Sequence, residues 1–144
     1  MAKESIARLR FSEIRSGQKK GRKYLLSHEV YERFLATFHD LNPMHVDDAF
    51  ARKSGFKAKL MHGAILNGFI SHFIGMCFPG KHSLLQSVNI QYRSPAYLRE
   101  TVLLQCRVEH RSAATRTLSL NIACLEAKSK RLLATAKVQV RVSA

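Results

Sequence analysis

The apolar segment at residues 64–78 restricts the folds open to this chain more than any other feature. Three polar residues interrupt it, Asn67, Ser71 and His72, and a run this short and this polar is not a membrane helix. From residue 62 to about residue 77 the sequence is apolar on most sides, which predicts a helix that is buried nearly all round. Such a helix needs other elements to cover it.

The hydrophobic pattern changes after this helix. Apolar and polar residues alternate along four later segments, at residues 87–93, 101–109, 118–124 and 132–142. Residues typical of turns separate them, at positions 94–95, 111–114 and 128–130. This alternation indicates long antiparallel strands, so we expect an α+β fold in which the sheet wraps around the helix. Because apolar surface at a sheet edge should be paired, we also expect a homodimer or higher homo-oligomer.

Two helices are expected before the buried one. Asp47 or Asp48 should cap a short helix at residues 49–53 that ends at Gly55. Ser27 should cap an earlier helix, whose apolar residues are spaced to share one face: Val30, Tyr31, Phe34, Leu35 and Phe38.

Length and composition favour one globular domain over residues 1–144. Hydrophobic residues make up 46% of the chain, which excludes a disordered protein. Residues 1–11 contain Glu4 and no apolar signal core, and the three cysteines have no paired spacing. We therefore expect a cytoplasmic protein that does not associate with a membrane.

The formal net charge is +14, from 24 Lys and Arg against 10 Asp and Glu. A field of this sign attracts polyanions, whether nucleic acid, the phosphates of coenzyme A or an acidic carrier protein. Much of the charge lies at residues 19–23, where Tyr24 is the only aromatic neighbour. Because nucleic-acid binding usually interleaves aromatic and basic residues, nucleic acid is the least favoured partner.

Asp40 and His45 flank an Asn-Pro turn. Pro43 argues against a continuous helix and biases Asn42 towards extended backbone, so we expect a tight, non-helical turn. Asn42 should brace the turn through its amide. A carboxylate and an imidazole that converge on one water can abstract and deliver a proton near neutral pH.

The segment FLATFHDLNPMHVDDA at residues 34–49 resembles the hydratase-2 signature of MaoC-like enzymes, the (R)-specific enoyl-thioester hydratases and 3-hydroxyacyl-thioester dehydratases. The similarity extends over nearly the whole chain. The turn at residues 14–18 and residues 27–30 resemble the first strand and first helix of the family, and His62-Gly63 resembles the start of its central helix. The resemblance implies a hot-dog fold, an antiparallel sheet wrapped around a long buried helix.

In that family the Asp and His of D-x-N-P-x-H are catalytic, which implies Asp40 as general base and His45 as general acid. The implied reaction is hydration or dehydration across the C2–C3 bond of an acyl thioester, carried by coenzyme A or acyl carrier protein. Free N–H groups at the start of the buried helix suit an oxyanion, so we place the thioester oxygen at the Gly63 N–H. The alternative is that Gly63 serves packing alone. Neither a metal nor a cofactor is expected.

Phe38 and His39 depart from the family pattern, which has a small residue and Gly at these positions. The Phe38 ring either fills part of the acyl tunnel and favours short chains, or packs against the core with its neighbours on the same helix face. We group Phe38, Asn42 and His62 as substrate-binding residues, with His62 expected to be hydrogen bonded.

Two other functions remain as alternatives. A hot-dog thioesterase usually carries an acid on or near the central helix, and residues 62–77 contain none. A non-catalytic module that binds acyl-CoA or nucleic acid has the net charge as its main support. A zinc site is disfavoured because its candidate ligands come from different elements at unremarkable spacing: His39, His72, His82 and Cys77.

Overall fold

A five-stranded antiparallel sheet and four α-helices account for most of residues 3–144, the part of the chain that the computed structural model describes. The helices are α1 (His28–Phe38), α2 (Pro43–Val46), α3 (Asp48–Lys53) and α4 (Ala64–His72), and α4 continues as a π-helical turn, Phe73–Cys77. The strands are β1 (Lys19–Leu25), β2 (Ser83–Tyr92), β3 (Thr101–Ser112), β4 (Thr117–Glu126) and β5 (Leu132–Val142). No helix in this part of the chain is long and apolar enough to cross a membrane.

The strands follow the order β1-β3-β4-β5-β2, so β1 and β2 form the two edges. The four strands predicted from alternation are confirmed. The apolar faces of β3, β4 and β5 are buried, and on β2 Val88 and Ile90 are partly buried against the core. The first strand lies at Lys19–Leu25, after the turn expected at residues 14–18, and was not predicted from the sequence. The earlier residues form a turn, in which Gly17 has a φ of +82°. Lys19 and the basic residues after it then pair along β3.

Helix α4 lies against the inner face of the sheet. Its buried residues and those of the turn that follows share one side: Ile65, Leu66, Ile70, Phe73 and Ile74. The prediction of burial nearly all round was wrong, since Ala64, Gly68 and Ser71 are exposed on the other side. Small side chains gave the segment an apolar composition without requiring that this side be covered.

The caps of α1 and α3 agree with the sequence. The Ser27 Oγ accepts a hydrogen bond from the Val30 N–H at 3.1 Å, and the Asp47 Oδ1 accepts one from the Phe50 N–H at 3.1 Å. Tyr31 is the fully buried residue of α1, and Phe34 packs partly against the core. The Tyr31 hydroxyl contacts the backbone of α2, and the Phe34 ring contacts His62, so α1, α2 and the start of α4 lie side by side.

Candidate active site

The chain between α1 and α2 forms a sharp corner. His39 ends α1 with a φ of 57° and a ψ of 29°, the left-handed conformation that glycine adopts most easily. The Asp40 Oδ1 then accepts a hydrogen bond from the Asn42 N–H at 3.2 Å. His39 adopts its left-handed conformation at some conformational cost, because its Cβ crowds the backbone there.

Asn42 caps α2 rather than lying in an irregular turn. Its Oδ1 accepts from the Met44 N–H at 3.0 Å, which confirms that the amide braces the corner. The expectation of a non-helical turn was wrong beyond this point, because residues Pro43–Val46 form one helical turn. Proline interrupts a helix from within but suits its first position, where no N–H is needed.

His45 presents one free ring nitrogen towards Asp40. Its Nδ1–H donates to the Leu60 carbonyl oxygen at 2.9 Å, since a carbonyl can only accept. The Tyr31 hydroxyl donates to the His45 carbonyl oxygen at 2.8 Å, which fixes the backbone as well. The free Nε2 lies 3.9 Å from the Asp40 Oδ2. One oxygen atom about 2.8 Å from each group can contact both at once.

His62 contacts both Asp40 and His45. Its buried ring stacks on that of His45, with centroids 4.1 Å apart and planes 29° from parallel. The His62 Nε2–H donates to the Asp40 carbonyl oxygen at 2.9 Å, so the predicted hydrogen bond is confirmed. Its Nδ1 is buried and has no partner within residues 3–144. The Phe34 ring, 4.7 Å away between centroids, covers another side of this imidazole.

Asp40, His45 and His62 also bring a carboxylate and two imidazoles within 4.8 Å of one another. The His62 Nε2 is already committed to a carbonyl oxygen, and its Nδ1 lies on the opposite side of the ring. This leaves two ligand atoms, one fewer than the three protein ligands of a catalytic zinc site. The arrangement is better suited to proton transfer than to metal binding.

Gly63 precedes α4, directly after His62. Within residues 3–144 the N–H groups of Gly63 and Ala64 donate to no other group, so they remain free for an oxyanion. The side of Gly63 where a Cβ would project is occupied by the Tyr92 ring, whose nearest carbon would lie 2.9 Å from that Cβ. Tyr92 also donates to the Asn67 Oδ1. A side chain at this position would therefore displace the Tyr92 ring, whatever the Gly63 N–H contributes.

Phe38 stands at the exposed end of α1. Its side chain is 66% exposed, and its ring contacts that of Phe34 at 4.8 Å between centroids. The interpretation that placed Phe38 in the core was wrong, because the helix stripe turns away from the core after Leu35. The side chains of the candidate pair are also accessible, that of Asp40 being 51% exposed and that of His45 21% exposed.

The other histidines do not form the zinc site considered from the sequence. Of the four candidate ligands, within residues 3–144, His72 and Cys77 come together, in a cluster that also contains Glu4, Arg22 and Tyr24. Arg22 donates to the Cys77 Sγ at 3.2 Å and pairs with Glu4, whose Oε2 lies 3.2 Å from the His72 Nε2. Hydrogen bonds from His72 and then Arg22 lower the pKa of Glu4. The sequence pointed to His72 and Cys77 as possible zinc ligands but gave no signal for Glu4, which lies 73 positions before Cys77.

Comparison with known proteins identifies the family. A sequence model described as "MaoC like domain" matches residues 12–126. The chain belongs to this family. The predicted resemblance to MaoC-like enzymes is thus confirmed, and the match includes the whole corner from Asp40 to His45 as well as Gly63.

Two curated relatives are named as a dehydratase and a hydratase. A mitochondrial 3-hydroxyacyl-[acyl-carrier-protein] dehydratase from Arabidopsis thaliana is 34% identical over 79 residues, covering 55% of this chain and 46% of the relative. An (R)-specific enoyl-CoA hydratase from Rhodospirillum rubrum is 28% identical over 92 residues, covering 64% of each chain. The matches span between 44% and 64% of the length of the curated relatives.

Solved structures of MaoC-like proteins share the architecture. An R-hydratase from Pseudomonas aeruginosa in the unliganded form superposes with a TM-score of 0.86 at 18% identity, over 95% of this chain and 87% of that chain. The expected hot-dog fold is therefore confirmed, as is the α+β arrangement of a sheet wrapped around one helix.

Proposed function

We propose that this MaoC-like protein adds water to, or removes it from, the C2–C3 bond of an acyl thioester. The observation that carries the proposal is the approach of the free His45 Nε2 to the Asp40 carboxylate, at 3.9 Å, on a corner where both side chains form hydrogen bonds with the backbone. The names of the curated relatives, a hydratase and a dehydratase of acyl thioesters, support the same reaction.

In the hydration direction, Asp40 and His45 hold one water between them. Asp40, as a carboxylate, takes a proton from the water as the water oxygen attacks C3 of a trans-2-enoyl thioester. His45, as an imidazolium with a proton on each ring nitrogen, delivers the Nε2 proton to C2. The product is a (R)-3-hydroxyacyl thioester. Asp40 then carries the proton from water and His45 is neutral, and proton exchange with solvent restores the carboxylate and the imidazolium. Dehydration reverses each step.

The start of α4 receives the thioester oxygen, on which negative charge develops during the reaction. The free N–H groups of Gly63 and Ala64 and the positive end of the helix dipole stabilise this charge. Because the conjugated thioester is itself the electron sink, the reaction needs no metal and no cofactor. Asn42 and His62 hold the corner in place, and Phe38 borders the acyl group.

We propose a homodimer as the working form and a cytoplasmic location. Strand β2 is an edge of the sheet, and Leu84 and Tyr92 on it are exposed, so a second copy would pair an otherwise open edge. The carrier of the acyl group is coenzyme A or acyl carrier protein.

The test is an assay of the purified protein with trans-2-enoyl-CoA esters of graded chain length, following loss of the conjugated thioester. We expect hydration and, by chiral analysis, a product of R configuration. Release of free coenzyme A in place of hydration would support the thioesterase alternative. Tight binding of the ester without turnover would support a binding module.

A further inference from the structure

The outer face of the sheet, opposite α4, carries a row of polar residues in register across all five strands. Lys19 of β1 pairs with Arg107 of β3, which pairs with Asn121 of β4. Asn121 in turn pairs with Lys137 of β5, and Lys137 pairs with Asn89 of β2. Their sequence neighbours on the central strands point inwards and are buried, so this row faces away from the core.

A second row in register runs beside the first. It consists of smaller or uncharged residues: Gly21, Gln105, Ala123, Thr135 and Gln91. The two rows line a groove of about 1070 Å³ across the sheet, which we call the outer groove. Small side chains at Gly21, Ala123 and Thr135 leave the space, and longer ones in the first row border it.

The outer groove is lined by basic residues, and no acidic residue in its lining balances their charge. Four residues on this face that line it are cations: Lys19, Arg93, Arg107 and Lys137. Within residues 3–144 none of the four forms a salt bridge. By contrast, Arg22 on the same strand is paired with Glu4 on the other side of the sheet. A concave surface with one sign of charge concentrates a ligand of the opposite sign.

The chemistry of the outer groove points to an acidic helix. No aromatic residue lines it, so it offers no platform on which nucleic-acid bases stack. Its concave shape does not match the plane of a membrane. Neighbouring strands are about 4.8 Å apart and one helical turn rises 5.4 Å, so a helix lying across the strands would present about one turn to each strand.

We propose that the outer groove binds an acidic α-helix of a partner protein. Carboxylates spaced three or four residues apart on one helix face would meet Lys19, Arg107 and Lys137, and the amides of Asn121 and Gln105 would bond to side chains between them. The small residues of the second row admit the body of the helix. The proposal is independent of the catalytic reaction, because none of these residues belongs to the Asp40–His45 site.

The test uses two synthetic helical peptides of identical composition, one with its Glu residues on a single face and one with them dispersed. Binding is measured by fluorescence anisotropy at low salt, and the contact surface by chemical shifts of the Asn121 and Gln105 side-chain amides. We expect the single-face peptide to bind more tightly and to shift both amides. Arg107→Glu with Lys137→Glu should weaken its binding by about tenfold, because attraction becomes repulsion at two positions.

The matched control reverses two exposed lysines outside the groove, Lys128→Glu with Lys130→Glu, and should leave binding within about twofold. Both double variants should retain the melting temperature and the enoyl-CoA hydration rate of the parent. Equal binding of the two peptides, or equal losses in the two double variants, would overturn the proposal. So would tighter binding of a 20-nucleotide RNA or of phosphatidylserine vesicles than of the single-face peptide.

Discussion

The ring of His62 stacks on that of His45, with ring centroids 4.1 Å apart, and its Nε2–H donates a hydrogen bond to the carbonyl oxygen of Asp40. One buried side chain thus fixes both members of the candidate acid–base pair. It does so without using its own ring nitrogens on the substrate, which makes His62 a positioning residue.

The first prediction concerns this positioning role. His62→Ala should lower kcat for hydration about 10- to 100-fold, because misplacement of catalytic groups by about 1 Å costs that much. His62→Gln keeps an N–H donor that can reach the Asp40 carbonyl oxygen, so it should recover part of the loss. Both variants remove the stacked ring, and thermal melting reports that shared effect. Equal kcat values in the two variants would show that the hydrogen bond has no role.

The second prediction separates two reasons for a glycine at position 63. Gly63→Ala forces a methyl group against the Tyr92 ring, so it should slow hydration. Tyr92→Ala removes that ring and gives the methyl group space. If packing alone requires the glycine, the double variant should regain the kcat of Tyr92→Ala. We expect it to stay slow instead, because the methyl group also blocks close approach of the thioester oxygen to the backbone.

A third prediction concerns Phe38, which is 66% exposed. Phe38→Ser should change the free energy of unfolding by less than about 0.5 kcal/mol, as expected for a surface position. If the ring borders the acyl tunnel, kcat/KM should rise for longer enoyl thioesters relative to short ones. An unchanged chain-length preference would exclude a tunnel role, and Glu32→Ser on the same helix is a suitable surface control.

The fourth prediction concerns acid stability. Hydrogen bonds from the Ser129 hydroxyl and backbone N–H, and from the Lys128 N–H, lower the pKa of Glu126 to about 2. Because the pKa is lowered in the folded state, the carboxylate stabilises the fold at pH values above 4.5, its ordinary pKa. This contribution is lost as the pH falls towards 2. Glu126→Gln should therefore lower the melting temperature at pH 7 and have little effect near pH 2. A melting difference that is constant with pH would contradict the assignment.

The sequence predicted those parts of the molecule in which side-chain pattern and burial coincide. Alternating residues such as Val102, Leu104 and Cys106 identified β3 because their apolar face fills the core. Strand β1 was missed because its residues, from Lys19 to Lys23, lack that alternation and gain their order from pairing with β3. Local hydrophobic pattern cannot show a strand whose order depends on a distant partner.

In the candidate site, too, local contacts were predicted from the sequence and contacts between distant residues were not. Asp40, Asn42 and His45 were found from one short motif, and their local contacts agree with it. The stacking of His62 on His45 joins residues 17 positions apart and depends on how α4 meets the corner. The ring of Tyr92 beside Gly63 depends on the end of β2. Neither contact has a signal in the order of residues.

The most direct measurement compares hydration of a trans-2-enoyl-CoA ester by the parent, Asp40→Asn, His45→Ala and the double variant, with circular dichroism to verify folding. Each single variant should lose about 10²- to 10⁴-fold in kcat, which is the usual contribution of a general acid or base. Because the two groups act on one water, the double variant should fall little below the slower single variant. Near-normal turnover in either folded single variant would contradict the assignment of Asp40 and His45 as the catalytic pair.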